Sequence, residues 1–114
     1  MKKQDMLKKN KEFRYVVSRG KSYSAPSMVL ICVKSRTGTK FGLSVSAKLG
    51  NAVVRNRTKR IMRAGLTQLL PYIKKDMAYL FIARRALIGK SSDFCKSEMS
   101  SLLLKAGLLD EKSC

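Results

Sequence analysis

From Phe13 to Lys75 the chain carries fourteen lysines and arginines and no aspartate or glutamate. Such a stretch cannot neutralise itself through internal ion pairs. Any helix or strand within it must be held by its apolar side, with the basic side chains turned outward. The acids, Asp5, Glu12, Asp76, Asp93, Glu98, Asp110 and Glu111, all lie outside this stretch. Across 114 residues the balance is 25 basic against 7 acidic, a net charge of +18. That is costly self-repulsion for a folded domain unless a polyanion relieves it. A single-sign field of this extent suits phosphate binding, which makes nucleic acid the leading partner class.

The chain should nevertheless fold. Hydrophobic residues make up 45% of it, too many for a disordered basic tail, and its length fits one domain spanning residues 1–114. The core is expected over about residues 6–106, with short flexible termini. The apolar runs "MVLICV" (28–33) and "LLL" (102–104) fall well short of the roughly 18 to 20 residues that span a bilayer. The opening "MKKQDMLKKNKEF" has no apolar segment behind its charges, so no secretory signal is read and a cytoplasmic location is expected. Cys32, Cys95 and Cys114 are widely spaced, and the chain has no histidine. They read as free thiols, Cys32 in the core and Cys114 exposed, and no metal site is expected.

Periodicity divides the chain into six elements. Asn10 to Arg19 reads as a short helix, with Asn10 as cap, Phe13, Val16 and Val17 at helical spacing and Gly20 as a left-handed stop. Ser27–Lys34 and Lys40–Ser46 read as strands joined by the loop "SRTGT" into an antiparallel hairpin. Asn51 can cap a helix running to about Leu70, before Pro71. Met77–Ala83, apolar on both alternations, reads as a central or buried strand. A last helix begins near Ser92, whose hydroxyl can cap it, and ends at Gly107. The order α-β-β-α-β-α implies an α+β fold, a two-layer α-β sandwich on a small mixed sheet.

The helix after Asn51 contains "KLGNAVVRNRTKR" (48–60). With about 100° per residue and Arg55 at zero, Lys59 falls at roughly 40°, Arg63 at 80°, Asn56 at 100°, Arg60 at 140° and Arg57 at 200°. Val54, Thr58, Ile61, Met62, Gly65 and Leu69 fall at roughly 240° to 340° and are assigned to the core. A helix fixed by that face presents guanidinium forks that bind phosphate oxygens in pairs. The Asn56 amide adds a donor and an acceptor able to read a base edge or a 2′-hydroxyl. Gly50 and Asn51 open the helix with unpaired amides suited to an anion.

"GLSVSAKLGNAVVRNRTKRIMR" (42–63) resembles the signature of the protein subunit of bacterial ribonuclease P, in which V-S-x-K-x-G-x-A-V-x-R-N-x-x-K-R-x-x-R surrounds an R-N-R core. "LKKNKEFRYVVSRGKSY" (7–23) is similar to that family's opening, and "DMAYLFIARRAL" (76–87) to its last strand. Ala64 departs from the pattern, which has an acid or amide there. Val17 and Ile31 stand where family members often place aromatics, and Tyr23 is an alternative aromatic.

The resemblance implies a left-handed β-α-β crossover, as in ribosomal protein S5 domain 2-like folds. It also implies a division of labour in removing the 5′ leader from precursor tRNA. The RNA subunit hydrolyses, using Mg2+, while the protein, with no cofactor of its own and no catalytic residue, binds that RNA and the leader, one protein per RNA. On this basis Arg57, Arg60 and Arg63 are assigned to phosphates of the catalytic RNA, and Arg55, Asn56 and Lys59 to the substrate side. Lys48 and Asn51 are placed near the helix start. Phe13, Val17 and Ile31 are the candidates for a leader cleft, and Lys8, Lys9 and Lys11 for diffuse attraction. Three other classes compete: a ribosomal RNA-binding protein, a cationic membrane-surface protein and an autonomous nuclease.

Overall fold

The computed structural model describes residues 10–35 and 38–109, with the backbone alone for Asn10 and Lys11. The expectations placed on Lys8, Lys9, the Lys11 side chain, the Asn10 cap and Cys114 lie outside the described residues. The elements are α1 (Asn10–Arg19), β1 (Lys21–Ser24), β2 (Met28–Lys34), β3 (Lys40–Ser44), α2 (Ala52–Leu69), β4 (Met77–Ala83) and α3 (Ser92–Lys105). Short 3₁₀ turns at Ala47–Leu49, Leu70–Tyr72 and Arg85–Leu87 adjoin α2 and β4.

The strands form one mixed sheet in the order β1-β2-β4-β3. β3 and β4 are parallel neighbours connected through α2, which is the β-α-β unit the family resemblance implies. β1 is an addition to the expected elements. Its "KSYS" has no apolar alternation, and it is a strand because it pairs antiparallel with β2 from Lys21↔Cys32 to Ser24↔Val29.

The expected hairpin between the second and third strands does not form. Both run alongside β4 instead, β2 antiparallel and β3 parallel to it. β4 is buried at every position except Ile82, so its apolar faces are best covered between two strands. The β2–β3 connection straddles the start of β4: the Ser35 N–H donates to the Asp76 carbonyl at 3.0 Å, and the Asp76 N–H donates to Thr39 Oγ1 at 2.8 Å.

Alternation along the strands supplies two cores. Leu30, Cys32, Phe41, Leu43, Tyr79 and Phe81 face α2 and α3, meeting Met62, Leu66, Leu69, Met99, Leu102 and Leu103. Phe41 and Tyr79 stack there with ring centroids 5.4 Å apart. This half is the expected helix-on-sheet sandwich. On the opposite face Ile31, Ala78 and Leu80 meet Val16 of α1, with Phe13, Val29, Val33 and Ile82 packed around them, so α1 adds a partial third layer. Val16 is 1% exposed, and burying a valine contributes about 1.5–3 kcal/mol.

Gly20 is not the left-handed stop expected of it, since its φ is not positive. A Cβ there would lie 2.5 Å from the Val16 carbonyl oxygen and 2.7 Å from Ile31 Cγ2. Glycine is required because backbone and sheet approach closely at the α1–β1 corner. Gly107, with φ of 72°, does end α3 in the expected way. The α3 cap is Ser91, one residue before the expected Ser92, and its hydroxyl accepts from the Phe94 N–H at 3.1 Å.

Candidate nucleic-acid interface

The basic helix starts where its sequence says it should. Asn51 Oδ1 accepts from the Val54 N–H at 3.0 Å, and the Asn51 carbonyl accepts from the Arg55 N–H at 3.0 Å. Ser46 caps the preceding 3₁₀ turn by accepting from the Lys48 N–H at 3.2 Å. Gly50 joins the two: a Cβ on it would lie 2.8 Å from Val54 Cβ, so the chain can enter the helix this tightly only without a side chain.

Rotation of α2 about its axis is set by what it buries. Thr58, Met62, Gly65, Leu66 and Leu69 are buried, with Thr58 Oγ1 returning its hydrogen to the Val54 carbonyl at 2.8 Å. At Gly65 the helices nearly touch. A Cβ would meet the backbone nitrogen of Lys96 at 3.0 Å, so α3 locks α2 in place. On the other side Asn56, Arg57, Lys59, Arg60 and Arg63 are all exposed, and Lys48 and Asn51 are exposed at the helix start. The six residues assigned to the core by spacing are buried or half-buried, as expected.

Arg55 stands apart from the other basic residues. It is half-buried, and its buried Nε has no hydrogen-bond partner among the described residues. On the helical wheel Arg55 borders the buried arc: Thr58, three residues on at roughly 300°, and Met62, at roughly 340°, are both buried. At that border the side chain is buried as far as the guanidinium Nε.

The cleft candidates come together on the opposite face of the sheet. Phe13 is half-buried against the smaller core, Ile31 is a member of it at 9% exposure, and Val17 is 54% exposed on α1. Ile31 is thus chiefly a core residue, while Val17 offers its side chain to solvent. Half-buried Val29, Val33 and Ile82 lie on this same face and were not singled out by sequence. Their alternation with buried Leu30, Cys32 and Phe81 was the signal for it. Register adds Ser22 and Ser24 from β1 and Lys40 and Ser44 from β3. Tyr23 is opposite Leu30 and packs against the α2/α3 core, so it is not an alternative aromatic for this face.

The thiols here are structural. Burial pushes Cys95 up to about 12, with Glu98 adding to the effect, and raises Cys32 despite nearby Lys21. Thiols held protonated in this way are poor nucleophiles and poor metal ligands. No group of three or more potential metal-ligating residues occurs among the described residues. No helix among them is long and apolar enough to cross a membrane.

The family model for Ribonuclease P matches residues 1–107. The chain belongs to the ribonuclease P protein family. It is 42% identical to the ribonuclease P protein component of Clostridium kluyveri over 105 residues, covering 90% of this chain and 94% of that one. With that of Oceanobacillus iheyensis the identity is 39% over 111 residues, 96% and 92% of the two chains. Among solved structures, a Staphylococcus aureus RNase P protein mutant with defective mRNA degradation activity superposes with a TM-score of 0.84 at 28% identity, covering 94% of this chain and 92% of that one. The RNase P protein from Thermotoga maritima shares the fold, with a TM-score of 0.79 at 23% identity over 88% of this chain and 96% of that one.

Proposed function

We propose that this chain acts as the RNA-binding subunit of a ribonuclease P ribonucleoprotein, assisting removal of the 5′ leader from precursor tRNA. The observation that carries this reading is the exposed arc of α2. Asn56, Arg57, Lys59, Arg60 and Arg63 stand in solvent on a helix whose opposite side is locked into the core, with no acid on the helix to compete for them. Arg57, Arg60 and Arg63 take phosphates of the catalytic RNA. Arg55, Asn56 and Lys59 face the substrate side, and Lys48 and Asn51 flank the helix start.

The open sheet face beside α1, bounded by Phe13, Val17 and Ile31, receives the leader. A single strand there meets aliphatic side chains rather than a row of aromatics, so shape and backbone contacts outweigh base stacking. Hydrolysis belongs to the RNA subunit, and Mg2+ acts with that RNA. One protein serves one RNA, in the cytoplasm.

The leader contact is tested by binding. Assembled with a bacterial ribonuclease P RNA, the protein should hold precursor tRNA more tightly than mature tRNA, and the difference should vanish when the leader is trimmed away. Equal affinity for the two substrates would favour a purely structural role in RNA binding, as in a ribosomal protein.

A further inference from the structure

The first turn of α2 holds two adjacent valines in different surroundings. Val54 is half-buried against Gly50 and belongs to the fold. Val53 is 64% exposed. On the helical wheel it falls at roughly 160°, between Arg60 at 140° and Arg57 at 200°. Asn56 and Arg57 follow it at the i+3 and i+4 positions, where side chains on one face meet. A bare isopropyl group therefore sits at the start of the basic face of α2. Folding does not explain it, because a β-branched residue on an exposed helical turn is less favourable than alanine.

We infer that Val53 is an apolar nucleotide contact within the α2 interface, packing against the uncharged ribose and base surface of the bound RNA. The inference rests on the reading of α2 as the RNA-binding helix. The surrounding arginines attract any polyanion. A valine contributes only when a nucleotide surface closes over it and excludes water, and this separates RNA from a mere string of charges. Its contribution is independent of counterion release, so it should persist at salt concentrations that weaken the arginine contacts.

The test compares Val53→Ala and Arg57→Ala in the full-length protein, binding a bacterial ribonuclease P RNA transcript and, separately, heparin, with thermal melts of each variant. Val53→Ala is expected to weaken RNA binding by about five- to tenfold. Its dependence on salt, its heparin affinity and its Tm should match those of the parent, with Tm equal or slightly higher. Arg57→Ala should weaken both ligands and flatten the salt dependence. Unchanged RNA affinity in Val53→Ala, alongside a weakened Arg57→Ala, would overturn the Val53 contact and leave α2 as the RNA-binding helix. Unchanged affinity in both variants would overturn the α2 reading together with the contact. A lowered Tm in Val53→Ala would assign the residue to the fold and overturn the contact as well.

Discussion

Asn51 Oδ1 accepts the Val54 N–H at 3.0 Å, and this one bond ties the start of the basic helix to the loop that delivers it. The four leading N–H groups of a helix lack internal partners, and here the cap supplies one from a side chain that precedes a run of arginines. Like charges in that first turn and the next disfavour the helix, so the cap offsets part of their cost.

Asn51→Ala should accordingly lower unfolding stability by about 1 kcal/mol. The variant should lose RNA affinity as well, because Arg55 to Lys59 would fray. Asn51→Asp, which retains the accepting oxygen and favours the helix dipole, should restore the Tm while still weakening RNA binding through its charge. Denaturant titrations together with filter binding separate the two effects.

Gly20→Ala inserts a methyl group where the Val16 carbonyl and Ile31 leave no room. A loss of about 1–3 kcal/mol is expected from overpacking. The damage should be confined to the α1 face. In the assembled ribonucleoprotein, the advantage of precursor over mature tRNA should shrink more than affinity for the catalytic RNA, as measured by competition binding.

If roughly five or six phosphates are neutralised, the logarithm of RNA affinity should fall against the logarithm of salt with a slope of about −4 to −5. Arg57→Ala, exposed and off the buried arc, should reduce the magnitude of that slope by about 1 and leave the Tm unchanged. Arg55→Ala should lower both slope and Tm, because Arg55 is half-buried at the edge of the arc that α2 turns to the core. A slope near zero for the parent protein would contradict an electrostatic interface.

The Cys95 thiol links stability to alkaline pH. Burial raises its pKa from 9.0 to about 12 in the folded protein. Below pH 9 both folded and unfolded chains keep the proton, so the group adds no pH dependence. Between 9 and about 12 the unfolded chain ionises first and binds fewer protons, so stability falls as pH rises. Cys95→Ala removes that contribution. Its stability deficit relative to the parent, set by the cavity, should narrow on going from pH 8 to pH 10.5 in parallel urea melts.

The basic helix was legible because local signals agreed: Asn51 before it, Pro71 after it, and one apolar arc between them. The exception was Arg55, grouped with the exposed basic face although it borders the buried arc that Thr58 and Met62 begin. The strand order was not legible. Spacing between residues 34 and 40 fits a hairpin, yet β4, more than thirty residues later, takes the place between β2 and β3 because its two apolar faces are best covered there. β1 was silent for the same reason, being a polar edge strand defined by its partner. Gly20 was recognised as a constraint but for the wrong cause, since a close approach to Ile31 from another element leaves no trace in local sequence.

The most direct measurement is single-turnover cleavage of a precursor tRNA by a bacterial ribonuclease P RNA at low magnesium, with and without this protein. The account predicts that the protein restores cleavage that the RNA alone performs poorly, and that the protein alone cleaves nothing. Tight RNA binding without any rescue, or cleavage by the protein in the absence of the RNA, would contradict it.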